Sequence, residues 1–303
     1  MKPWKSIVYS FFLGGVFALI AQALLSITQV TLGSGPFSFF VGGSVLVLMG
    51  VIGCILGGLS VYQWLEKWAT FGSLLPFSGF AMAVGMKMLG PWCSEEKAST
   101  AKSIWQGLWL VIWFNVVGAV VCIIFGFICT KAGVIAPTIE KTTSWMVFPY
   151  AYVMGGILTA FFQVCFLIAK HITDNTKPVW ILMFAWCLGA ILTPFGVSGW
   201  MANICGEGFS VMIPVGGYNM YNVGMAFALG EISEGLVHLG SFLLAVFFLF
   251  FTGLITYLIY RAKYGRTPIN EVHYMRVKEA AKELAPSIEN PAFSINEKGK
   301  LKE

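Results

Sequence analysis

Two breaks and a few polar groups, set in otherwise apolar sequence, are the residues best placed to do chemistry. Pro76-Phe77-Ser78-Gly79 and Pro214-Val215-Gly216-Gly217 each interrupt a long apolar stretch. Proline removes a backbone donor and clashes with the preceding turn, so a helix stops there. In lipid the freed backbone groups need partners, and such breaks are tolerated where they face protein or a wet cavity. A helix that restarts behind a break begins with free N–H groups and partial positive charge, which suits an anion. Two such ends meeting near the bilayer midplane would make an anion site or pore. The competing reading is a proline kink used only for packing. On the first reading Gly72, Pro76, Ser78 and Gly79 join Pro214, Gly216 and Gly217 along a substrate pathway.

Gln22 and Gln163 belong with them. Each is an amide inside an apolar run, where it needs a hydrogen-bond partner; it lines the pathway or bonds to broken backbone nearby. Four charged residues are further candidates: Lys87, Glu96, Glu207 and Glu234. An ionisable group within a membrane is a functional hypothesis by default, and placement at the interface, where charge is cheap, is the alternative. His238 reads as a packed or interfacial residue.

These residues recur. Gly14-Gly15 precedes Gln22 much as Gly155-Gly156 precedes Gln163, 141 residues later. Pro76 and Pro214 lie 138 apart, as do Gly58 and Gly196, Ser60 and Ser198, and Glu96 and Glu234. A near-constant offset is the mark of duplication, and paired Gly/Pro-broken segments in two halves of a membrane chain point to a transport site.

The elements that must position them are membrane helices. Hydrophobic residues make up 57% and charged residues 11%, against roughly a quarter charged in soluble domains. Ser6 to Leu65 carries no charge and is long enough for two spans of about 20 residues; other uncharged runs are Ser103–Thr130, Thr142–Ala169, Pro178–Gly206 and Gly208–Gly230. Expected spans fall at 7–30, 39–63, 104–129, 148–169, 179–202 and 235–260, with broken segments at 70–90 and 208–230. The chain therefore reads as an all-α polytopic membrane protein: a first repeat (1–130), a connecting loop (131–147), a second repeat (148–260), and a charged cytoplasmic tail (261–303), disordered after Pro286. A short helix is expected at 271–284. If the broken segments re-enter, each half has three full spans and the halves are inverted; if they cross, the halves are parallel. The lysine distribution favours inversion with both termini cytoplasmic, because it leaves only Lys131 and Lys141 outside.

Several classes are set aside. Nine of the 19 basic residues follow Tyr260, which reads as a cytoplasmic tail rather than a nucleic-acid surface. There is no phosphate-binding Gly-rich loop, no HExxH and no grouped triad, so no enzyme and no cofactor is expected. Seven scattered cysteines suggest neither a metal site nor a disulfide framework.

The order Gly14-Gly15, Ala21-Gln22, Ser60-Val61-Tyr62 and Trp68-Ala69-Thr70-Phe71-Gly72-Ser73-Leu74-Leu75-Pro76-Phe77-Ser78-Gly79-Phe80 resembles the stage V sporulation protein A membrane proteins of the AC and AE types. The second half follows more loosely, through Gly155-Gly156, Gln163, Gly199-Trp200 and Ile213 to Tyr218. The resemblance implies a multi-pass protein of the inner spore membrane that moves dipicolinic acid, with calcium, during sporulation and germination, alongside other sporulation membrane proteins. Members of that family are usually about half as long, so this chain resembles a tandem fusion of two. Ser210 stands where the first half has Gly72, and Gly216 where it has Ser78. The expected function is a channel or permease for dipicolinate or a related small anion; the alternatives are a secondary transporter of another metabolite and a non-transporting scaffold.

Overall fold

The computed structural model describes residues 3–34, 41–94, 97–137, 144–173 and 175–272. Among them the protein is all-helical, and five helices are long and apolar enough to cross a membrane. These are α1 (Pro3–Leu32), α2 (Val41–Gly58), α6 (Thr100–Lys131), α7 (Val147–Ile172) and α12 (Ile232–Tyr264). Between α2 and α6 run three shorter helices, α3 (Tyr62–Trp68), α4 (Thr70–Leu74) and α5 (Phe77–Trp92). Between α7 and α12 run α8 (Pro178–Ile191), α9 (Val197–Cys205), α10 (Glu207–Ser210) and α11 (Pro214–Leu229). Glu96, and all of the expected 271–284 helix beyond Val272, lie outside the described residues.

One expected span is shorter than its sequence promised. The uncharged run at 179–202 gives α8, which stops at Ile191 after 14 residues, and α9 restarts at Val197. Pro194 disfavours helix in the residue before it, and Gly196 adopts φ +76°, a left-handed conformation that glycine enters without penalty. Among its described residues the second half therefore holds two long spans, α7 and α12, where three were expected.

Helix directions follow from their contacts. Ser6 and Ser10 of α1 meet Gln163 of α7, Phe11 meets Gly156, and Ala18 meets Gly155. Positions ascending in α1 thus meet positions descending in α7, and the two helices run antiparallel. Small residues at this crossing let the backbones approach closely. In contrast, Gly53 and Gly57 of α2 lie against Ser78 and Met82 of α5, while Gly50 and Gly58 meet Thr252 and Ile259 of α12. α2, α5 and α12 therefore run in the same direction. A Cβ at Gly53 would collide with the Ser78 carbonyl, so this glycine is what lets α5 start halfway along α2.

The first broken segment enters and leaves at one end of the molecule. Leu59, just past α2, accepts a hydrogen bond from the Tyr264 hydroxyl at 3.2 Å, and Trp92, at the end of α5, donates from Nε1 to the Gly265 carbonyl at 3.0 Å. Both ends thus reach the same turn of α12. That end is fastened further. The Arg266 guanidinium lies 3.7 Å from the centre of the Trp92 ring, and its nitrogens donate to the carbonyls of Trp92 and Ala98. Arg261 lies 4.5 Å from the same ring. Exposed Trp4, Trp64, Trp68 and Trp105 sit on segments near this end, as amphipathic rings do at a membrane interface.

Candidate functional site

The two breaks meet. Pro76 has extended backbone (φ −65°, ψ 150°), and it forms an isolated antiparallel bridge with Met212. The Phe77 N–H donates to the Val211 carbonyl at 2.8 Å, and the Ile213 N–H donates to the Leu75 carbonyl at 3.1 Å. Backbone groups beside each proline are thus satisfied by the other break. Among the restarting turns, the N–H groups of Gly79, Val215 and Gly216 are also engaged, by the carbonyls of Pro76, Met212 and Ile213. Much of the donor capacity that the sequence suggested for an anion is spent inside this junction.

Each break is held from the opposite half. Gln163 of α7 is 2% exposed; its Oε1 accepts from the Phe71 N–H at 3.0 Å and from the Ser10 hydroxyl at 3.2 Å, while its Nε2 donates to Ser6 Oγ. Gln22 of α1 is 7% exposed, and its Oε1 accepts from the Glu207 N–H at 3.0 Å. Glu207 can start α10 there because Gly206 before it takes φ +48°, and a Cβ at Gly206 would press within 2.6 Å of Gln22 Oε1. Ser78 is fully buried, and its hydroxyl lies 2.8 Å from that of Tyr62, which donates to the Ser73 carbonyl at 3.0 Å. Tyr62 therefore ties the return of α3 to both sides of the first break.

Beside the junction lies a cavity of about 300 Å³. Phe77 and Phe80 of the first break and Val211 to Ile213 of the second line it, with Asn115 of α6, Trp186 of α8 and Asn219 of α11. Three of its lining rings are linked through the buried Phe114: Phe80 to Phe114 at 4.6 Å between centres, Phe114 to Trp186 at 5.3 Å, and Trp186 to Phe242 of α12 at 5.8 Å. Among the described residues two ionisable side chains line it, Glu207 and His238. Glu207 is 9% exposed, and a Cβ at Gly42 would stand 3.5 Å from its Oε1. Its carboxylate thus faces the first turn of α2, where the helix dipole is positive.

The remaining sequence candidates fall in different places. Gly216 lines the cavity against the Trp186 ring, and Gly217 packs on the Trp186 carbonyl. Gly72 packs on the Ser10 backbone and Gly79 on the Ser73 carbonyl, both outside the cavity lining. Pro214 is buried behind the junction. Lys87 is exposed on α5. Glu234 is exposed and pairs with His238 at 3.7 Å, which brings it to the cavity's edge without lining it. Glu96 lies outside the described residues.

Sequence reading missed Asn115, Trp186 and Asn219. Asn115 had a signal: it is an amide in the middle of the uncharged run Ser103–Thr130, and it is 4% exposed. Trp186 had none, because one aromatic among many stands out only once its neighbours are known.

A second cavity of about 270 Å³ lies near the fastened end, lined by Gln63, Glu66, Lys67, Thr70, Met86, Ile269 and Asn270. Burial there raises the Glu66 carboxyl above its ordinary pKa. Among the described residues no group of three His, Cys, Asp or Glu side chains is arranged to hold a metal.

No curated protein and no solved structure matches this chain. Residues 6–130, from α1 to the end of α6 and including Gln22, Tyr62 and the first break, match the family model of the SpoVAC/SpoVAEB sporulation membrane protein, the resemblance that the order of their motifs carried.

Proposed function

We propose that this protein is a sporulation membrane protein that conducts dipicolinic acid, with calcium, or a related small anion, as a channel or permease. The observation that carries this reading is the meeting of both Pro-broken segments at one cavity. A planar aromatic acid suits such a space: ring faces from Phe77, Phe80 and Trp186 receive the ring, and amides from Asn115 and Asn219 receive its oxygens. Ligand sites of this kind are largely apolar with a few placed polar groups. The family match over residues 6–130 supports the sporulation role.

Two inverted halves, each with a re-entrant segment, are the topology we favour. The antiparallel run of α1 and α7 supports it, and so does the return of the first broken segment to its own end. Arg261 and Arg266 sit at that end, which the positive-inside rule makes cytoplasmic. The inner spore membrane is the location that the family implies.

A second reading is proton-coupled transport of a small metabolite. It is favoured by Glu207, a buried acid on the cavity wall; Glu234, another of the charged candidates, is exposed.

Flux separates the readings. The purified chain is reconstituted in liposomes loaded with dipicolinate and with an unrelated small anion, and release is followed with and without osmotic down-shift. Selective dipicolinate release that is lost in the double variant Pro76→Leu, Pro214→Leu supports the proposed conduit. Release of both anions only on down-shift indicates an unselective tension-gated channel. Release driven by a pH gradient and lost in Glu207→Gln supports the coupled transporter. Absence of release under every condition leaves the scaffold reading.

A further inference from the structure

We propose that the two broken segments act as one cooperative gate, which parts as a unit, and that Gln22 and Gln163 are the positioning residues that hold it shut. The identification of this unit as a gate rests on the conduit reading above; its cooperativity rests on hydrogen bonding alone.

A break inside a membrane must find partners for its backbone, and here each break finds part of them in the other half. The first takes the Val211 carbonyl and offers the Leu75 carbonyl to Ile213; the second does the reverse. Neither junction bond survives unless both segments stay in place. The approach to each junction is held in turn by a glutamine from the other half. Gln163 holds the N–H of Phe71, one helical turn before Leu75, and Gln22 holds the N–H of Glu207, one turn before Val211.

The glutamines are themselves linked. Gln163 accepts from Ser10 and donates to Ser6 of α1, the helix that carries Gln22, and Thr159 one turn earlier donates to the Ser10 carbonyl at 2.7 Å. α1 and α7 therefore move as one packed pair, carrying both anchors. Displacing either anchor frees its own segment, removes a junction bond, and so withdraws a partner from the other segment. A closed loop of this kind has two discrete states rather than a continuum, which is what a gate requires. Phe77 and Val211 to Ile213 are both junction residues and cavity lining, so parting the junction changes the cavity directly.

Hydrogen exchange with mass spectrometry on the full chain in lipid nanodiscs tests this without reading flux. In Gln163→Met, exchange is expected to rise about tenfold or more, both in peptides covering 71–80 and in those covering 206–216. Gln22→Met is expected to raise it in the same two regions. A rise confined to 71–80 in Gln163→Met, and to 206–216 in Gln22→Met, would overturn the proposal. Ser10→Ala provides a milder probe should Gln163→Met fail to fold. It removes one donor to Gln163 Oε1, and a smaller rise is expected, again in both regions; a rise in 71–80 alone would overturn the proposal equally. Since dipicolinate plays no part in these measurements, uncoupled exchange would refute the cooperative unit and leave the conduit reading standing, whereas absent flux with coupled exchange would do the opposite.

Discussion

Gln22 and Glu207 are 185 residues apart, yet the Gln22 side-chain oxygen accepts the Glu207 backbone N–H at 3.0 Å. The contact places the first helix against the second break, just as Gln163 places the seventh helix against the first. A buried N–H without a partner costs about 1–3 kcal/mol, so each glutamine adds to the junction bonds that hold its segment in place.

Removing these amides therefore has unequal consequences. Gln163 serves the Phe71 N–H and two serine hydroxyls, and Gln22 serves the Glu207 N–H. Gln163→Leu is expected to destabilise by about 2–4 kcal/mol and Gln22→Leu by about 1–3 kcal/mol. Thermal unfolding in detergent, followed by intrinsic tryptophan fluorescence, gives the order; a larger loss for Gln22→Leu contradicts it.

Gly53 admits no side chain. A Cβ there meets the Ser78 carbonyl, which belongs to the backbone of the first break and not to a flexible side chain, so relief requires α2 and α5 to move apart. Gly53→Ala is expected to cost about 1–3 kcal/mol, as overpacking typically does. Gly240, whose Cβ would meet nothing within 4 Å, is the control: Gly240→Ala should leave the melting temperature unchanged or raise it slightly, since alanine is the better helix former.

The fastened end depends on Arg266. Its guanidinium stacks on Trp92 and donates to two carbonyls, and Arg suits such a site because its planar fork serves stacking and bonding together. Arg266→Lys should lose most of this geometry while keeping the charge. Limited trypsin digestion is expected to cut after Lys263 faster in Arg266→Lys than in the parent chain; equal rates would show that charge alone holds the end.

Glu66 makes stability pH-dependent. Burial raises its folded-state pKa, so the folded chain holds this proton more tightly than the unfolded chain. That contribution is fully present below the unfolded carboxyl pKa and is lost as pH rises through the raised folded value. Glu66→Gln should therefore be more stable than the parent at neutral pH, with the difference vanishing below about pH 4, near the ordinary carboxylate pKa. Melting curves across this range check the sign.

How much of this was legible beforehand differs from residue to residue. Pro76 and Pro214 announced the breaks because proline lacks the backbone donor a helix interior needs and its ring clashes with the preceding turn. Gln22 and Gln163 announced a need for partners because an amide in an apolar run has few alternatives, although which atoms would meet them was hidden. The shortening of α8 at Ile191 was legible in Pro194 and Gly196 but was outweighed by the uncharged run around them. Glu207 and Glu234 looked alike in sequence, yet one is buried against α2 and the other exposed.

The sequence by itself determined that this is a multi-pass helical membrane protein, where its helices break, and which polar residues stand inside apolar runs, because hydropathy and proline chemistry act locally. Only the tertiary structure decided that the two breaks pair with each other, that each glutamine serves the opposite half, and that Asn115 and Trp186 face the same cavity as both breaks. Those relations join residues up to 185 positions apart, and they depend on the relative direction and crossing of whole helices, which no local pattern encodes.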